Sequence, residues 1–183
     1  MGKVIPIGAL KDQKAVKRGF REWRKRFPSI PVLDASTCFA DLPDGVILFL
    51  AEDHENSRRL MYDLIMGACE LGSGYEFEAL PADKLMPLLD IYFILIDQVR
   101  FECMRRLGWI EEISMGEKSI IQTIKDAGQG LHPALLKLPM ITSKHPAYED
   151  LFKGQEMDHR ALIRKYIPDA VKQFKRKIED EPA

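Results

Sequence analysis

The stretch from about Pro81 to Leu107 restricts the fold most. Read at about 100° per residue, Leu85, Leu88, Leu89, Tyr92, Leu95, Ile96, Val99 and Cys103 form an apolar arc over well more than half of a helix circumference. A helix that apolar is either surrounded by other elements or lies in a subunit interface. Pro81 suits a helix start and Gly108 a helix stop. The run Ile91 to Ile96 inside it ends at Asp97, well short of the ~18 apolar residues that cross a bilayer, so the chain is not expected to be transmembrane.

Elements with the same helical period surround this one. Val16, Phe20, Trp23 and Phe27 fall on one side of a helix over residues 9–27, with Lys14, Arg18, Arg21 and Lys25 opposite. The expectation is a basic amphipathic helix docked on the outside of the core. Residues 28–42, with Pro28 and Pro31, read as an extended connector. Asp41 to Gly45 reads as a helix start, with Pro43 early and acids in the first turn. The apolar Val46–Ala51 fits a buried strand as well as a helix on periodicity alone. Helix is preferred, because no second strand of comparable quality exists to pair with it. A helix over about 54–71 follows, stopped at Gly72 and Gly74, and a shorter one over 117–127.

Residues 131–148 are interrupted by Pro133, Pro139 and Pro146 and leave room for one short helix at most. Residues 147–152, 156–166 and 168–179 again look helical, and 179–183 reads as a frayed tail. The fold class expected is therefore all-α: a compact single-domain helical bundle of about six to eight helices around the 81–107 helix.

Charge is distributed unevenly. Residues 1–27 hold nine Lys or Arg against two acids, and residues 28–90 hold three bases against twelve acids. Residues 91–183 are nearly balanced, with 15 bases and 14 acids. The three cysteines, Cys38, Cys69 and Cys103, are far apart and odd in number. No zinc or redox spacing joins them, and reduced thiols in a cytoplasmic protein fit best. The N-terminus lacks the apolar core of a secretory signal.

No phosphate-binding loop, dinucleotide fingerprint, nucleophile elbow or paired metalloprotease histidines occur. Weaker constellations remain. Lys11, Lys14, Arg18, Arg21 and Lys25 could contact an anionic polymer or membrane surface. A solvated helix face beside the acidic middle segment is the preferred reading, and nucleic acid is not the expected partner. Asp90 and Asp97, seven residues apart, point within roughly 20° of each other on the central helix. They could be desolvated ligand-binding carboxylates. They could equally line a thin window to solvent with Ile94, Gln98, Phe101 and Arg105, or pair with Arg58 or Arg59. Glu156 and His159 have the Glu-x-x-His spacing of carboxylate-bridged metal bundles, but such bundles need two of these motifs, so neither a metal nor another cofactor is expected.

The functional expectation is a non-enzymatic helical interaction or scaffold protein, bound to a protein partner or to itself as a homodimer. A ligand- or metal-binding bundle or enzyme using the Asp90/Asp97 face is the alternative. Nucleic-acid or membrane-surface binding through the N-terminal helix comes third.

Overall fold

The computed structural model describes residues 7–111, 118–130, 139–149 and 159–180. Eight α-helices and two 3₁₀ turns make up the regular structure of these residues, and no strand occurs among them. Among the described residues the one β contact is an isolated antiparallel bridge between Ile110 and Ile141. The chain is all-α, as its periodicity implies.

The N-terminal amphipathic stretch folds as two helices, α1 (Ile7–Gly19) and α2 (Arg21–Arg26), where one continuous helix is expected. The break is a bend at Phe20, because the backbone bonds Phe20 N–H to Val16 and Arg24 N–H to Phe20 carry through it. Both Phe20 and Trp23 are completely buried, and they meet edge to face. The Trp23 indole N–H donates to the Leu60 carbonyl at 3.0 Å. The apolar face of this segment is thus part of the main core, and its basic face points outward.

Helix α3 (Asp44–Ala51) settles the strand-or-helix ambiguity of Val46–Ala51. Pro43 precedes its first turn as Pro81 precedes that of α5, each with the extended ψ that a proline N-cap brings. The stop of α4 (Glu55–Ala68) differs from expectation. It is made by Glu70, in the left-handed region at φ 61°, and not by Gly72. The Leu71 and Glu70 amides return to the Met66 and Gly67 carbonyls, which is the Schellman pattern.

Helix α5 (Ala82–Arg106) packs against α3, α4, α6 (Ile120–Gly128) and α8 (Ile167–Asp180). Between α6 and α8 the short α7 (His159–Lys165) is described. The main core gathers residues of α1 to α6 and Phe174 of α8. A smaller cluster of Met104, Trp109, Ile110, Ile163 and Ala170 seals the C-terminal end of α5. His145 is buried beside it, with its ring edge-on to Trp109 and Tyr166.

The connector before α3 is fastened by a side chain far away in sequence. Arg106 bonds to Asp44 and Glu102, and donates to the carbonyls of Phe39, Ala40 and Leu42. Glu102 is buried and also receives Arg105, so the charges in this clasp are mutually compensated.

Candidate functional site

Only part of the side of α5 expected to face water does so. Ile94 is buried, and Asp97, Gln98, Phe101 and Arg105 are half-buried, leaving only Asp90 of the expected window exposed. The correction has a topological cause. Arg164 of α7 reaches Asp97 at 3.1 Å, and Ile163 and Ala170 close over Met104, so the returning helices cover the C-terminal half of that side.

The N-terminal half stays open. Ala82, Asp83, Met86, Pro87, Asp90 and Phe93 are exposed there, with Met86 at 58 % and Phe93 at 56 %. These two residues are seven apart and therefore lie on one face two turns apart. On a helix that supplies the centre of the core, two large apolar side chains left more than half in water are the most informative surface feature. The Phe93 ring touches Tyr92, whose ring reaches Tyr62, itself stacked on Phe77, so the patch rests on a rigid aromatic column.

Beneath Phe93 lies a polar cluster that the sequence did not reveal. Asp53, between α3 and α4, is held in the left-handed region at φ 53°. Its carboxylate accepts a bond from the Tyr92 hydroxyl and pairs with Arg100 at 3.2 Å. Burial and the Asp53 carboxylate push the Tyr92 phenol well above its ordinary pKa, so it is a fixed donor. Both oxygens of Asp53 are engaged within the cluster, which ties the α3–α4 turn to α5.

The remaining sequence candidates are dispersed. Burial pushes the Asp97 carboxyl above the usual carboxylate range, and Arg164 and Arg100 only partly counter it. No bond joins Asp97 to the exposed Asp90 among the described residues. Arg58 donates to the Asp53 carbonyl, while Arg59 pairs loosely with Glu55 and lies over the Tyr75 ring at 4.0 Å. Neither arginine is bonded to Asp90 or Asp97 among the described residues.

The basic N-terminal face divides in two. Arg18 pairs with Glu70, and Arg21 and Lys25 share Glu22, which holds the Glu22 carboxyl below its usual range. Lys11 and Lys14 are exposed, with no ion pair among the described residues. Arg18, Arg21, Glu22, Asp63 and Glu70 border a cleft of about 370 Å³ between α1, α2 and the end of α4. The cleft mixes both signs, and its cations are already committed to its anions. Asp63, on its floor, accepts the Gly74 amide at 2.5 Å.

Glu156 and the side chain of His159 lie outside the described residues. Among those described, no three His, Cys, Asp or Glu side chains converge as a metal site would need. His54, the other histidine flanked by acids, caps α4 by accepting the Ser57 amide at 3.1 Å. The three cysteines are free thiols, and burial raises the pKa of Cys69, and that of Cys103 to about 12. No described helix is long and apolar enough to cross a membrane. No family model matches the chain, and neither a curated protein nor a solved structure matches it.

Proposed function

We propose that this protein works by binding another protein through the open N-terminal half of α5, and not by catalysis. The observation that carries the reading is the exposure of Met86 and Phe93 on the helix that otherwise builds the core. Burying large apolar side chains is worth about 1.5–3 kcal/mol each, so such a pair is a strong anchor for a partner and unfavourable when left bare. Self-neutralised polar groups elsewhere support it: the Asp53, Glu102 and Arg18 clusters each satisfy their own charges.

The test is a photo-crosslinking amino acid placed at position 93, compared with one at Lys84, which is exposed on the opposite side of α5. A discrete adduct from position 93, absent from position 84 and lost when Met86 is replaced by Glu, is the expected outcome. Identical adducts from both positions, or none from either, would refute the reading. Native mass spectrometry of the same samples shows whether the adduct partner is a second copy.

A further inference from the structure

Resting on that reading, we infer that the α5 face receives an amphipathic helix with basic flanks, and not a second copy of this chain. The molecule contains the arrangement already. On the C-terminal half of the same side of α5, Ile163 of α7 joins the small buried cluster that holds Met104, and Arg164 of α7 bonds to Asp97. An apolar side chain and an arginine from one helix thus meet this side of α5 together. Further toward the N-terminus the stripe repeats the same chemistry with no described element laid on it: Met86 and Phe93 as the apolar floor, Asp83 and Asp90 as the carboxylates.

Charge fixes the character of the occupant. Asp90 lies between Met86 and Phe93 along the axis and within roughly 60° of both; Asp83 is one turn before Met86. Neither carboxylate is bonded among the described residues, while the nearby Arg100 and Arg164 are committed to Asp53 and Asp97. The open half is therefore apolar with two negative charges that no described residue pairs, which favours Lys or Arg on what docks there.

Shape and size fix the rest. Met86 and Phe93 are about 10.5 Å apart along the axis, a spacing that side chains at i and i+7 of a facing helix match. Apart from the Asp83 carbonyl, which Pro87 leaves without its helical donor, the backbone of α5 is bonded along the helix, so its side offers no row of free groups for an added strand. A stable dimer buries about 800 Å² on each protomer; two half-exposed side chains supply a fraction of that. A two-fold contact through this face would also set Asp90 and Asp83 against their own copies, a like-charge cost.

The test uses two labelled helical peptides of about 18 residues on an alanine background. Both carry Leu at positions i, i+3 and i+7; one is flanked by Arg and the other by Glu. Fluorescence anisotropy with the full chain should show the Arg peptide binding at least roughly ten-fold more tightly than the Glu peptide, and more weakly as salt rises. The double substitution Asp83→Asn with Asp90→Asn should remove that preference, and Met86→Ala with Phe93→Ala should weaken both peptides. All four positions are exposed, so the fold tolerates the changes; far-UV circular dichroism checks this. Equal binding of the two peptides, or an Arg preference untouched by the Asp substitutions, overturns the inference. Self-association abolished by Phe93→Glu overturns it too, while leaving the proposed function standing. If no peptide binds and position 93 gives no specific adduct, both fall.

Discussion

Gly67 holds α1 against α4 by having no side chain. A Cβ at that position would lie 2.6 Å from the Arg18 carbonyl oxygen, 2.7 Å from its carbon and 2.9 Å from the Gly19 nitrogen. All three are backbone atoms of α1, so no rotamer change relieves the overlap. Gly67→Ala gains about 1 kcal/mol of helix propensity. The overlap can be cleared only by moving α1 outward, which loosens Phe20 and Trp23 in the core. Overpacking of this kind costs about 1–3 kcal/mol, and more where a helix must shift, so a net loss of about 1–3 kcal/mol is expected. For a chain of this size each kcal/mol moves Tm by about 2–4 °C, giving a fall of roughly 2–12 °C. Gly45 is the matched control. It lies in α3, exposed, and a Cβ there meets nothing within 4 Å, so Gly45→Ala keeps the propensity gain and should raise Tm by about 2–4 °C. Thermal melts of the three proteins by circular dichroism decide the matter. A Gly67→Ala protein as stable as Gly45→Ala would show that the close crossing does not govern the packing of α1.

Two further outcomes follow from the buried polar groups. Arg106→Met strips Asp44 and three connector carbonyls of their donor while Glu102 keeps Arg105, and should cost about 2–4 kcal/mol. Hydrogen exchange should show the amides of Cys38, Asp41 and Leu42 losing protection, and unchanged protection there would contradict the clasp. His145 is 2 % exposed, its Nδ1 accepts the Ala147 amide, and burial lowers its pKa from the usual 6.5. Below 6.5 the unfolded chain takes up a proton that the folded chain refuses, so this residue's contribution is intact above 6.5 and is lost as pH falls toward the lowered folded value. An NMR titration placing His145 at or above 6.5 would contradict this, as would a His145→Phe protein that loses stability in acid as steeply as the parent.

The helices themselves were legible because their signals are local. The apolar period of α4, α5 and α8 and the prolines ahead of α3 and α5 all lie within a few residues. The site was legible only in part. Met86 and Phe93 lie four and three residues from Asp90 on the same helix, but an apolar residue in a helix reads as core unless something shows that no neighbour covers it. Asp53 gave no signal, since a turn aspartate is ordinary and its partners Tyr92 and Arg100 lie 39 and 47 residues away.

Sequence alone therefore determined the fold class, the central place of the 81–107 segment, and the division into a basic N-terminal helix and an acidic middle. These follow from composition and from periods that each element carries by itself. Only the tertiary structure decided how much of the polar side of α5 meets water and which partner each charge takes. Arg164 with Asp97, Arg106 with Asp44 and Arg100 with Asp53 are joined across 67, 62 and 47 residues. A helix has several sides able to be buried, and the choice among them is made by where the rest of the chain returns. In this protein α7 and α8 close over one half of α5 and leave Met86 and Phe93 uncovered.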